Sequence, residues 1–300
     1  MGKEISPIFN LLFLVSIPRH RITIMASAAW IRKTSLLIGC MLLATGPAWA
    51  KEPAKVHELV IKPNPEARWG GRIEDVRRVL HSAAEQLWQY FPDRTLDPIL
   101  VEPQGGPIVL FSRGPQNEYQ VRLGTGDMLW AQHAFQFAHE FTHILCKYDE
   151  TPHRNKWFEE SLCEMGSLFA LRRMSEVWAV RPPYPNWKSY AKSLGDYADE
   201  RIEKARLPAG KTFAAWYREE AEHLYADAAL RDKNTTVAVA LLPLFEREPQ
   251  HWEAVSYLNV RKPPKDQTFA EFLEKWRDSS PPQHRAFIEQ IGETFGIPKK

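Results

Sequence analysis

His139 and His143 bracket Glu140 in the stretch "FAHEFTHIL", Phe137 to Leu145. Residues four apart on a helix project from one face about a turn from each other, which is the separation at which two imidazoles can share one Zn²⁺. Glu140 points in a neighbouring direction, where a carboxylate can reach a metal-bound water without being a ligand. Two ligands and a base in this order carry out metal-assisted hydrolysis. Trp130, Ala134, Phe137, Ala138, Phe141 and Leu145 make the segment apolar on nearly every face, as in a helix deep within a fold. Polar groups buried there without partners cost several kcal/mol. Either histidine alone reads as a core residue bonded to a carbonyl, but a metal satisfies all three groups together.

A catalytic zinc needs a third protein ligand. "WFEESLCEM" lies downstream and places Glu160 and Glu164 one turn apart on a second expected helix. "HEFTH" followed by "WFEESLCE" resembles the gluzincins, the thermolysin-like and aminopeptidase-like zinc metallopeptidases. The resemblance runs from Tyr119 to roughly Ala170, in the order half-buried strand, HExxH helix, glutamate helix and helical remainder. It implies Zn²⁺ held by His139, His143 and Glu160, with Glu140 as general base and Glu164 orienting a ligating histidine from outside. Ser161 stands where the family usually has Gly, and Glu159 where it often has Asn or Asp, so Glu159 stays open as the ligand instead. The other zincin branch wants Gly and His at the places of Cys146 and Asp149, and is disfavoured. His153, in the polar loop "YDETPHRNK", reads as solvated.

The resemblance further implies that residues 119–123 form the sheet edge that pairs with an extended peptide substrate, the alternative being an ordinary sheet strand. It also implies a Tyr or His donor to the developing oxyanion, for which Tyr184, Tyr190, Tyr197 and His223 all stand open. The expected function is peptide hydrolysis with a peptide or protein as substrate; whether cleavage is internal or terminal is open. A non-catalytic zincin-fold binding protein of the cell envelope is the alternative, and a helical scaffold without metal is a third reading.

The elements that must position these residues follow from periodicity. "VHELVIKP" reads as a first strand, and apolar spacing from Val76 to Leu87 predicts a helix over 72–90. "PILVEP" and "PIVLFS", separated by "QGG", read as two short strands joined by a turn, and "EYQVRLG" alternates as a half-buried strand. Thr125 or Asp127 is placed to cap the apolar segment 128–148. From Asn155 onward the chain looks almost wholly helical. Helices are expected in "NKWFEESLCEMGSLFALRRM", "PAGKTFAAWYREEAEHL", "NTTVAVALLPLFE", "HWEAVSYLN", "TFAEFLEKWRD" and "PPQHRAFIEQIGETFG". Trp216, Trp252 and Trp276 read as core. The fold class is therefore α+β and zincin-like: a small mixed sheet, an HExxH helix and a mostly helical C-terminal half. Its divisions are a leader at 1–50, a catalytic core at 51–175 and a helical part at 176–300 that can belong to the same domain.

A chain of 300 residues with 44% hydrophobic content is long enough to bury a substantial core. Its formal charge of +2 comes from interspersed ions with no basic run, so nucleic acid is not an indicated partner. "MASAAWIRKTSLLIGCMLLATGPAWA" from Met25 has the n-region, h-region and small-residue end of a secretory signal peptide cleaved after Ala50. Met25 is then a candidate start, and the apolar run is too short for a comfortable membrane span. Cys40 in "LIGC" resembles a lipoprotein acylation box, but follows Lys33 too closely for a normal h-region. The expected destination is periplasmic or secreted, with no stable membrane span after cleavage and an undetermined oligomeric state. Cys146 and Cys163 are then the only cysteines left in an oxidising compartment, either bridged or kept as two buried thiols.

Overall fold

The computed structural model describes residues 58–299. The leader, the Ala50 cleavage point, Cys40 and the start at Met25 lie outside the described residues. Four short strands, β1 (Ile61–Pro63), β2 (Ile99–Glu102), β3 (Ile108–Val109) and β4 (Tyr119–Arg122), form one mixed sheet. The order is β1-β2-β4-β3, with β1, β2 and β4 parallel and β3 antiparallel to β4. Alternation sets its two faces: Ile61, Ile99, Val101, Val121 and Val109 point inward, while Lys62 and Arg122 are exposed.

Two expectations about the sheet are corrected here. β2 and β3 are not a hairpin, because β4 lies between them, pairing Val101 on one side and Val109 on the other through Val121. The connecting segment crosses the end of β4 at backbone contact distance. A Cβ on Gly106 would lie 1.9 Å from the Arg122 carbonyl oxygen, and one on Gly124 would lie 2.7 Å from the Gly106 oxygen. Glycine at both places is what admits the crossing. Residues 119–123 are accordingly not a sheet edge: β4 is paired on both sides, and the edge toward the cleft is β3.

Helix α1 (Ile73–Trp88) packs with α2 (Trp130–Leu145) and α3 (Lys156–Val180), and β1, β3 and β4 close over α1 and α2. The helical half continues as α4 (Ala191–Lys204), α5 (Phe213–Ala226), α6 (Arg231–Arg247), α7 (Phe269–Ser279) and α8 (Pro282–Thr294). No boundary falls at residue 175, because α3 runs through it and both α4 and α6 pack on α3. "HWEAVSYLN" lies in a 3₁₀ segment, Pro249–Tyr257, rather than an α-helix. α4 is a helix that apolar spacing did not single out: only Ala191, Leu194 and Ala198 of it are buried. Trp216, Trp252 and Trp276 are all buried in the core. No helix among the described residues is long and apolar enough to cross a membrane.

The approach of α2 to α3 depends on one glycine. A Cβ on Gly166 would lie 2.2 Å from Thr142 Oγ1, so the helices meet where one of them has no side chain. Thr142 itself donates back to the Ala138 carbonyl at 2.8 Å, which keeps its hydroxyl satisfied in the dry contact. Neither Thr125 nor Asp127 caps α2; Leu129 occupies the N-cap position without a side-chain bond. The Tyr190 hydroxyl accepts from the Ala131 N–H instead, at 3.3 Å.

Candidate metal centre

α2 presents both histidines to a cleft of about 400 Å³, and α3 supplies the carboxylates opposite them. The His139 and His143 rings lie 5.2 Å apart, one turn along the helix. Glu160 stands between their outer nitrogens: its Oε2 is 3.3 Å from His139 Nε2 and its Oε1 is 3.6 Å from His143 Nε2. The inner nitrogens are taken by two further carboxylates. His143 Nδ1 lies 2.7 Å from Glu159 Oε1, and His139 Nδ1 lies 3.6 Å from Glu164 Oε2. Each imidazole thus has one nitrogen turned inward to an orienting acid and the other outward to Glu160 and the cleft.

The orienting acids are themselves held by distant segments. Glu159 Oε2 accepts from Asn259 Nδ2 at 2.7 Å, and the same amide reaches the Cys146 carbonyl at 3.1 Å, joining the end of α2 to α3. Glu164 Oε1 accepts from Thr235 Oγ1 on α6 at 3.0 Å. Asn259 and Thr235 carry no local motif, and sequence reasoning did not find them. Ser161 faces away from the cleft and bonds to the Trp157 carbonyl at 2.8 Å and to Asn234 at 3.3 Å. Its difference from glycine therefore leaves the donor set unaltered.

The electrostatics follow from burial and pairing. Burial alone would depress both imidazoles, but bonds to Glu160 and Glu164 outweigh it and raise His139 to about 9. His143 is likewise raised well above its ordinary value against burial by Glu159 and Glu160. Burial would raise Glu160, and the two histidines reverse that, pulling it far below the usual carboxylate range. Glu140, almost fully buried, is shifted upward by loss of hydration. The outward-facing N–H of Val109 on β3 is directed at its carboxylate and partly offsets the shift. Across the whole lining the charges offset, with Glu140, Asp149, Glu159, Glu160 and Glu164 set against Lys156, Arg201, Arg231 and the two imidazolium cations. A divalent cation replacing the two protons fits both the charge and the donor geometry.

A second donor set competes on distance alone. His139, His143 and Cys163 can each place one ligand atom within 4.8 Å of the others. Cys163 is fully buried and does not line the cleft, and burial beside Cys146 pushes its thiol well above its ordinary range. Glu160 is the ionised donor on the open side. Both cysteines are free and buried, with their thiols in contact.

Searches against protein-family profiles, curated proteins and solved structures find no match. The site therefore stands on its own geometry. Asp149 lines the cleft, but its carboxylate turns to the Thr151 N–H at 2.6 Å, away from the histidines. His153 is not solvated as expected: it stacks on Phe272 at 5.6 Å, and burial lowers it to about 4. Of the four oxyanion-donor candidates only Tyr197 lines the cleft. Tyr184 accepts from Arg78, Tyr190 is committed to Ala131, and His223 bonds to Glu220 on the surface. Tyr148 lines the cleft as well, 6.5 Å ring to ring from His143, with its hydroxyl on the Leu110 carbonyl at 2.5 Å. It was missed, although its place just past the end of the histidine helix was a usable signal.

Proposed function

We propose that this chain is an exported, zinc-dependent metallohydrolase of gluzincin type that cleaves peptide bonds. One observation carries the reading: the Nε2 atoms of His139 and His143 and the carboxylate of Glu160 converge in an open cleft beside a buried Glu140. Bound by those three residues, zinc supplies Lewis acidity to water and to a substrate carbonyl. Glu140 takes the proton from the attacking water and passes it to the departing amine, a task suited to a carboxylate whose pKa is raised by burial. Glu159 and Glu164 hold the imidazoles in the tautomer that leaves Nε2 free to donate electrons.

The substrate has a natural resting place along β3. The Leu110 N–H is spent on the Gln120 carbonyl, so the neighbouring Val109 backbone faces the cleft, its N–H toward Glu140 and its carbonyl open to a peptide. An extended peptide can add there as a further strand, with Ile108 and Phe111, both exposed, beside its side chains. Tyr197 is the cleft hydroxyl placed to stabilise developing negative charge, because the Tyr148 hydroxyl donates its proton to the Leu110 carbonyl.

The test is metal analysis and peptide-library cleavage with the secreted protein and its Glu140→Gln variant. About one zinc per chain in both, with cleavage reduced roughly 10²- to 10⁴-fold in the variant, is the expected result. Zinc-loaded wild-type protein that cleaves no peptide would refute the peptidase reading. A chain that binds no zinc would refute the metal centre itself.

A further inference from the structure

Arg201 and Arg231 face the same cleft as the histidines, and neither guanidinium is in a close ion pair among the described residues, Arg201 being attracted at longer range by its neighbour Glu200. Arg201 projects from α4 with its guanidinium 3.5 Å from the centroid of the Tyr197 ring and 4.7 Å from that of Phe135. Its hydrogen bond is to the Tyr197 carbonyl one turn back, at 3.3 Å. Arg231 is the first residue of α6; its carbonyl accepts from Thr235 Oγ1 at 2.9 Å, and its guanidinium makes no hydrogen bond or ion pair among the described residues. Arg172 on α3 shows the contrast, since its guanidinium is bonded to Glu246 at 2.6 Å and to Asp199 at 3.1 Å.

A guanidinium held against two aromatic rings has its orientation set before a ligand arrives, and loses less freedom on binding than a loose side chain. Its remaining N–H groups form a planar fork that matches a carboxylate in two parallel hydrogen bonds. The position relative to the reaction centre can be read from α2. Phe135 precedes His139 by one helical turn of ~5.4 Å, and the guanidinium lies 4.7 Å from the Phe135 ring, so Arg201 stands along the cleft from the histidines. An extended chain advances roughly 3.3–3.6 Å per residue. A carboxylate one or two residues from a scissile bond at His139, His143 and Glu160 therefore falls within reach of the guanidinium.

We propose that Arg201, assisted by Arg231, is a carboxylate clamp that selects peptide substrates bearing a carboxylate within one or two residues of the cleaved bond. The carboxylate can be the C-terminal α-carboxylate or an acidic side chain. The inference rests on the metallohydrolase reading for the position of the scissile bond. A competing role for the two arginines, balancing the charge of the four cleft glutamates, acts on metal affinity and not on substrate choice.

Binding tests this without turnover. The zinc-loaded, full-length Glu140→Gln protein is titrated calorimetrically with three matched peptides: a free C-terminal acid, its C-terminal amide, and an amide with glutamate as the penultimate residue. The acid should bind at least roughly tenfold more tightly than the plain amide. Arg201→Ala and Arg231→Ala in that background should each erase much of the preference while leaving zinc content and amide binding unchanged. Arg201→Lys keeps the charge without the fork, should lose part of the preference, and reports on the clamp if the alanine variant does not fold. Tight binding of the free acid alone identifies an α-carboxylate; equal gain from the glutamate amide identifies a side chain. Equal binding of all three peptides overturns the clamp, as does the absence of any peptide binding. Equal losses on both peptides, or lost zinc, in the arginine variants also overturn it and favour charge balance. Acid preference in a chain whose wild type cleaves no peptide leaves the clamp standing and sinks only the peptidase assignment.

Discussion

Zinc and protons should compete at this site with a steepness that the geometry sets. Without metal, each histidine is an imidazolium held by two carboxylates, His139 with a pKa of about 9 and His143 well above its ordinary value. Nε2 can donate to a metal only after the proton leaves, so binding must release up to two protons. The sign is fixed: these groups are raised, so metal-free protein holds its protons at neutral pH and apparent zinc affinity climbs as pH rises toward their pKa values. For His139, removal of a proton at pH 7 from a group of pKa about 9 costs ~3 kcal/mol, or roughly a hundredfold in apparent affinity. With both histidines protonated, affinity should improve about a hundredfold per pH unit between pH 6 and 8, roughly tenfold for each proton released. The assay is competition against a chromophoric chelator of known pH dependence, with calorimetry in buffers of different ionisation enthalpy to count protons. A slope near zero, or release of well under one proton, would show that the imidazoles are not the ion-paired cations described and would undo the electrostatic case for the site.

Three other expectations follow from particular contacts. Gly166→Ala drives a methyl into Thr142 at the α2–α3 crossing and should lower stability by about 1–3 kcal/mol in thermal or denaturant unfolding; an unchanged midpoint would mean the helices are not in contact there. Glu160→Ala should lose zinc and activity together, whereas Glu159→Gln and Glu164→Ala should weaken zinc affinity by roughly 10- to 100-fold; full loss in Glu159→Gln with retention in Glu160→Ala would exchange the roles of the two glutamates. Cys146 and Cys163 should both react with thiol reagents once the protein is denatured without reductant, as two free thiols in contact; none reacting would show that they are bridged.

Much of the candidate site could be read along the chain because it depends on local geometry. A helix repeats every 3.6 residues, so His139 and His143 share a face whatever the rest of the molecule does, and Glu160 and Glu164 do the same on α3. The long apolar helices and the half-buried strand at Tyr119 were visible for the same reason. α4 was not, because few of its residues are buried and its apolar stripe is thin. The cap expected at Thr125 or Asp127 failed because the chain reaches α2 through Leu129, with the Tyr190 hydroxyl supplied from elsewhere in the fold.

Sequence alone determined the two histidines, the glutamate between them and the facing pair on the next helix, since residue type and spacing suffice when the elements are regular. Tertiary structure decided what surrounds them. Strand order rests on pairings between segments far apart in the chain, which periodicity does not encode; hence β3, not β4, is the edge at the cleft. It also rests on packing that Asn259 braces Glu159, that Thr235 braces Glu164, and that Arg201 meets Phe135 across the cleft. Each of those contacts joins side chains brought together by the burial of their own helices. No pattern local to Asn259, Thr235 or Arg201 distinguishes it from an ordinary polar residue on the surface.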